Sequence, residues 1–167
     1  MSLENARNLS LEEMDKQSFL HPYTPLKDHL DSGPTIVAAA KGVNITDTNG
    51  KEYIDAMAGL WCVNIGWGRD EVVEAIAEQA GKLAYYHSFA SMANEASIRL
   101  ADRILRLVPD NMSKVFFGNS GSDANDTNVK LVWYYNNLRG RPEKKKIISR
   151  VRGYHGVTVA AASLTGI

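Results

Sequence analysis

The order of one stretch constrains this chain more than its composition does. Residues 114–117, Lys-Val-Phe-Phe, form a short apolar run, and a turn of small residues follows, Gly118-Asn119-Ser120-Gly121-Ser122. A helical pattern then runs over about 122–138, ended by Gly140 and Pro142. A second apolar run occupies 146–151. Strand, helix, strand with a crossover of this length predicts a βαβ unit and therefore parallel strands. Parallel sheets are covered on both faces. The expected fold class is thus α/β, with two strands as only the start of a larger, mixed or mostly parallel sheet. On that expectation the 167 residues are the front part of something longer.

The remainder divides around this unit. Residues 1–33 read as an N-terminal arm. Ser10 and Glu13 have capping-box spacing for a short helix over 10–21, the stretch His21-Pro22-Tyr23-Thr24-Pro25 forbids its continuation, and Asp31-Ser32-Gly33-Pro34 is turn chemistry. Residues 34–68 hold a small antiparallel meander and an aromatic-bearing segment. Asn49-Gly50, between short runs at 43–47 and 51–55, predicts a hairpin with a type I′ turn, in which both residues take positive φ. Residues 69–167 form the first part of a larger domain. Val72, Val73, Ile76, Ala77, Ala80 and Leu83 fall on one helical face within 70–84. Ile98, Ala101, Ile104, Leu105 and Val108 do the same within 94–108, closed by Pro109.

Several function classes drop out. Lysine plus arginine equals aspartate plus glutamate at 19 each, so the footprint of a general nucleic-acid binder is missing. No apolar run approaches the roughly 18–20 residues of a membrane span. A single cysteine, Cys62, and an N-terminus without a signal-like core point to the cytoplasm. His21, His29, His87 and His155 lack compact spacing with cysteine or acidic partners, which argues against a metal site. Lys144-Lys145-Lys146 reads as a solvated charge run.

The turn at 118–122 has two readings. A helix N-terminus carries free amides and partial positive charge, and Gly121 leaves room for close approach while Ser120 and Ser122 add hydroxyls, so an anion could sit there. Equally, Ser120 is an ordinary N-cap and Gly121 part of a tight turn, which is the first reading of the tripeptide alone. Asp123 and Asp126 suit the helix dipole but would repel a phosphate unless they point away. A second motif, Arg152-Gly153-Tyr154-His155-Gly156, follows the second strand and so lies at the same, carboxyl-end edge, where ligands of open α/β sheets collect. A tyrosine there can lay its ring on a flat aromatic cofactor. Taken singly, Tyr154 and His155 are loop packing residues.

Together, "GNSGSDANDT" at 118–127 and "GYHGVTVAAASLTG" at 153–166 make the chain resemble the N-terminal part of the class III (omega) aminotransferases, pyridoxal-phosphate (PLP) enzymes of fold type I. The resemblance extends to "DAMAGLWCVNIGWG" at 55–68, "YYHSF" at 85–89 and "RPEKK" at 141–145, and covers nearly everything from Thr35 onward. It is nearest to the amine:pyruvate and β-alanine or taurine:pyruvate branch. The resemblance implies that Gly121 and Ser122 hold the phosphate of PLP, with Ser120 shaping the turn. Tyr154 would stack on the pyridine ring, with His155 and Gly156 beside it. Trp61 would wall the substrate pocket, Phe89 would serve the partner subunit's site in a homodimer, and Tyr85 and Tyr86 are either pocket neighbours or core packing. Family enzymes commonly have glutamate where Asp123 and Asp126 stand.

The implied reaction passes an amino group from an amine or omega-amino acid to a keto acid such as pyruvate. Its Schiff-base lysine and the aspartate on the pyridine nitrogen belong downstream of the Tyr-His-Gly motif, so no catalytic residue is assigned within the 167. Three other readings stand beside it: an amino-group mutase on the same scaffold, a phosphate-binding α/β module, and an inactive fragment.

Overall fold

The computed structural model describes residues 9–167; the first eight residues of the arm lie outside the described residues. The chain resolves into two compact units, one reaching to Tyr85 and the other beginning at Tyr86.

The first unit opens with helix α1, Leu11–Ser18. The capping box is complete: Glu13 N–H donates to Ser10 Oγ at 3.2 Å, and Ser10 N–H donates to Glu13 Oε2 at 2.7 Å. The helix is shorter than the expected 10–21, because Phe19 leaves helical geometry before the prolines. A second helix, α2, Leu26–Ser32, starts directly after Pro25, where proline's fixed φ suits a helix start. Three strands follow, β1 Val37–Lys41, β2 Asn44–Asp47 and β3 Glu52–Ile54, in an antiparallel sheet of order β1-β2-β3. The expected meander is present.

The β2–β3 turn differs from expectation. Gly50 has φ +80°, but Asn49 is not in the positive-φ region, so the turn is not type I′. Gly50 N–H donates to Asp47 O, and Asp47 N–H donates to Lys51 O, both at 3.0 Å, the pattern of a three-residue loop with Gly50 as the left-handed residue. The Asp47 carboxylate selects this form. Its Oδ1 accepts from Asn49 N–H at 2.8 Å and Lys51 N–H at 3.0 Å, and its Oδ2 accepts from the Tyr53 hydroxyl at 2.9 Å. The Lys51 amide, with the Tyr53 hydroxyl and the Asn49 amide, holds this carboxyl below the usual carboxylate range.

Beyond β3 comes α3, Ala58–Trp61, whose four residues all have positive φ: 49°, 58°, 60° and 68°. It is a single left-handed turn, closed by Trp61 N–H to Met57 O at 2.8 Å and Cys62 N–H to Ala58 O at 3.0 Å. Left-handed backbone costs roughly 1–2 kcal/mol at each non-glycine residue, here Ala58, Leu60 and Trp61. The unit ends with α4, Asp70–Leu83.

The second unit contains α5, Glu95–Leu105, capped by Asn94, then α6, Gly121–Leu138, capped by Ser120, and α7, Val159–Leu164. Helix α6 ends in a Schellman arrangement, with Gly140 N–H donating to Asn137 O and Arg141 N–H to Asn136 O. Of the expected strand–helix–strand unit, the helix and both flanking segments are in place. Residues 113–118 and 144–150, however, are not assigned as strands. A strand is defined by its ladder, and neither segment pairs with a strand among the described residues, where the only sheet is the meander. Apolar burial is correspondingly slight. Among the described residues Ala161 is the one buried apolar side chain; the apolar stripe of α4, including Val73 and Ile76, stays exposed, and that of α5 is half-buried apart from the exposed Ile98.

Candidate functional site

The site grows from the N-terminus of α6. Ser120 is extended, at φ −161° and ψ 164°, and its Oγ accepts from Asp123 N–H at 3.1 Å. Asp123 in turn reaches back, its Oδ2 accepting from Asn119 N–H at 3.0 Å. One amide of the first turn is thus capped and one carboxylate is committed to the chain before the helix. The amides of Gly121 and Ser122 have no partner among the described residues. Nothing lies within 4 Å of where a Gly121 Cβ would stand. Two N–H groups without a partner among the described residues therefore stand at the positive end of an 18-residue helix.

The Tyr-His-Gly segment lies against this turn. Val157 N–H donates to Ser122 Oγ at 3.0 Å, which leaves the Ser122 hydroxyl proton free to donate. Asn125 Nδ2 donates to His155 O at 2.7 Å. Behind the segment, Thr165 Oγ1 accepts from His155 N–H at 3.0 Å and shares its own proton between Gly156 O at 3.0 Å and Ala161 O at 3.1 Å. Gly156, at φ +130°, touches the helix directly. A Cβ there would stand 2.5 Å from Ser122 Oγ and 2.8 Å from both Ser122 Cα and Ala161 Cβ. Only glycine permits this approach.

Asp126 does not face the anion position. Its Oδ1 accepts from Thr158 Oγ1 at 2.7 Å and from Ala161 N–H at 2.8 Å. It supplies the N-terminal cap of α7, whose own cap residue Thr158 makes no side-chain capping bond. The Thr158 hydroxyl, together with the α7 amides, holds the Asp126 carboxyl below the usual range. The concern that both aspartates would repel a phosphate is answered by bonds to other groups.

The structure therefore brings together Ser120, Gly121, Ser122, His155 and Gly156. Tyr154 is adjacent and exposed. The His155 Nε2 is buried with no hydrogen-bond partner among the described residues. Tyr86 stacks on His87 at 4.7 Å between centroids, and Phe89 also contacts only His87 by its ring; both are exposed. Neither makes a ring contact with the turn. Trp61 and Tyr85 belong to the first unit and are exposed. Trp61 is presented by the left-handed turn, which Asp55 secures: its Oδ2 accepts from Gly59 N–H and Trp67 Nε1–H, both at 2.8 Å. The Trp67 indole and the Gly59 amide hold this carboxyl below its ordinary range.

Sequence reasoning missed Asn125, Thr158 and Thr165, which fix the Tyr-His-Gly segment. The signal for the two threonines was the "TVAAASLTG" run itself, with hydroxyls at both ends of a short apolar helix; Asn125 gave none. The spacing argument against a metal cluster also missed a convergence: Asp15, His21 and His29 present ligand atoms within 4.8 Å of one another.

A phosphate monoester fits the atoms described: two unpartnered amides, a donor-capable Ser122 hydroxyl, free space at Gly121, and both nearby carboxylates engaged elsewhere. Residues 28–167 match the family model of class-III aminotransferases, and the chain belongs to that family. It is 55% identical over 160 residues to an uncharacterised aminotransferase of Sinorhizobium fredii, and 50% identical over 159 residues to the diaminobutyrate–2-oxoglutarate transaminase of Halomonas elongata, covering 94% of this chain each time. It also resembles the crystal structure of the omega transaminase of Pseudomonas jessenii in complex with PMP, with a TM-score of 0.92 and 50% identity over 95% of this chain. The chain spans about a third of these relatives: 34% of each curated protein and 35% of the solved chain. The fold is that of the N-terminal portion of a PLP-dependent transaminase, a family whose members use PLP.

Proposed function

We propose that these residues form the phosphate-seating part of a PLP-dependent aminotransferase that moves an amino group from an amine or omega-amino acid to a keto acid such as pyruvate. The single observation that carries this reading is the pair of unpartnered amides at Gly121 and Ser122 at the start of α6, with Gly156 packed against Ser122. Charge-assisted hydrogen bonds from such amides to a phosphate are the stronger kind, and the helix end adds to them.

When bound, PLP supplies an aldehyde that captures the amine and a ring that accepts electron density. This chain's residues do the holding. Gly121 and Ser122 donate to the phosphate. Tyr154 offers the face of its ring to the pyridine, and His155 stands beside it, its carbonyl fixed by Asn125 and its amide by Thr165. Trp61 supplies one wall of the substrate pocket. A homodimer, with Phe89 directed to the neighbouring site, and a cytoplasmic location belong to the same proposal; no described helix is long and apolar enough to cross a membrane. The subunit mass in solution checks the dimer.

The test is amino transfer by the full-length protein. Incubated with PLP, an omega-amino acid and pyruvate, it should form alanine in step with loss of the donor. A rearranged amino acid without alanine would replace transfer by a mutase reaction on the same scaffold. No uptake of PLP absorbance would reduce the site to a phosphate-binding module.

A further inference from the structure

Outside the phosphate seat, one cluster has no part in the reading above. Asp15 is on α1, His21 follows that helix, and His29 is on α2. The break at Pro22–Pro25 folds the second helix back, so that residues 6 and 14 positions apart converge on one carboxylate. His21 Nε2 lies 2.8 Å from Asp15 Oδ2, and His29 Nε2 lies 2.8 Å from Asp15 Oδ1. The two imidazole rings are 4.5 Å apart between centroids.

The two contacts are not equivalent. The His21 contact is a hydrogen bond. At His29 the atoms touch without hydrogen-bond direction: among the described residues neither Asp15 Oδ1 nor His29 Nε2, both buried, has a hydrogen-bond partner. The His29 side chain is only 7% exposed and Asp15 13%, whereas His21 is 27% exposed. A buried ion pair that misses hydrogen-bond geometry recovers only part of its desolvation cost. A cation between the three ligand atoms would satisfy both partners at once.

We propose that Asp15, His21 and His29 bind a borderline divalent cation of the zinc class, clipping α1 to α2. Two imidazoles and one carboxylate are a donor set suited to Zn²⁺ and its neighbours, and the open fourth position falls on the more exposed His21 side, where water completes the shell. Bonds of about 2.0–2.2 Å place tetrahedral ligand atoms roughly 3.3–3.5 Å apart. Each 2.8 Å contact must therefore open by roughly half an ångström, within the reach of small side-chain rotations. The helices joined have eight and seven residues, lengths that are marginal without tertiary support. Metal binding then adds directly to the stability of the arm.

Cobalt titration tests the site. Full-length protein stripped with a chelator is titrated with Co²⁺, whose visible bands report tetrahedral nitrogen and oxygen ligation, and then with Zn²⁺. The expected result is one equivalent per chain, displaced by Zn²⁺, unchanged in Cys62→Ser, and weakened by at least roughly tenfold in His21→Gln and in Asp15→Asn. Asp15→Asn preserves shape, so it remains informative if His21→Gln fails to fold. Slower proteolysis between α1 and α2 with Zn²⁺, in the native protein alone, is the second expected readout. A wild-type titration that superimposes on that of Asp15→Asn overturns the proposal, as does a signal abolished by Cys62→Ser.

Discussion

Asp55 and Asp126 use the same device in two regions and achieve opposite ends. In each, one carboxylate oxygen takes two donors. Asp55 Oδ2 takes Gly59 N–H and Trp67 Nε1–H, and Asp126 Oδ1 takes Thr158 Oγ1–H and Ala161 N–H. Asp55 reaches 4 and 12 residues along the chain, whereas Asp126 reaches 32 and 35. The nearer pair secures a left-handed turn against its own cost and leaves an aromatic side chain, Trp61, exposed. The farther pair ties α6 to α7, turns a negative charge away from the helix start, and leaves two backbone amides exposed. A carboxylate that works locally presents a side chain; one that works across elements clears a site for a ligand.

The sharpest way to break that contrast is Gly156→Ala. The new Cβ meets Ser122 Cα at 2.8 Å, which is backbone and cannot swing aside, and φ +130° adds strain. A loss of roughly 2–5 kcal/mol is expected, read from the denaturant midpoint of the full-length protein, together with loss of PLP retention. A substitution that leaves both unchanged would show that the helix start and the Tyr-His-Gly segment are not held as a unit.

Acid should act on both aspartates, but the variants should part over the cofactor. Both carboxyls sit below their unfolded value, so each contributes stability that is complete above about pH 4 and is lost as pH falls through the folded value. Asp55→Asn and Asp126→Asn should each melt lower at neutral pH and lose less on acidification than the native protein, in melting scans from about pH 7 to about pH 3. Only Asp126→Asn should also weaken PLP binding. Equal effects of the two on PLP would erase the distinction. At the small end, Gly50→Ala, with open space around its Cβ and φ +80°, should cost only about 1 kcal/mol in the same unfolding assay and leave PLP binding untouched.

What could be read beforehand followed the range of the interactions. The capping box at Ser10 and Glu13 and the N-cap at Ser120 depend on residues three apart, and both are present in the structure. The hairpin at Asn49-Gly50 was correctly located but wrongly typed, because the deciding group is the Asp47 side chain rather than the central pair. The left-handed turn gives no local signal, since Ala58, Leu60 and Trp61 all disfavour positive φ and are held there by Asp55 and Trp67. Asp126 was legible as a helix-dipole residue that had to point away from a phosphate, but not by its partners, which lie more than thirty residues on. The convergence of Asp15, His21 and His29 depends on how a proline break redirects a helix, which residue spacing does not encode.

The central claim is that the Gly121 amide grips a phosphate. Gly121→Pro removes that N–H alone, at the first helical position, where proline is well accommodated and the extended backbone of Ser120 suits the residue before it. The deciding measurement compares the affinity of the native and Gly121→Pro full-length proteins for PLP and for unphosphorylated pyridoxal. The account predicts that PLP binding weakens by about ten- to a hundredfold while pyridoxal binding and helix stability hold. Equal weakening for both ligands, or none for either, would contradict it.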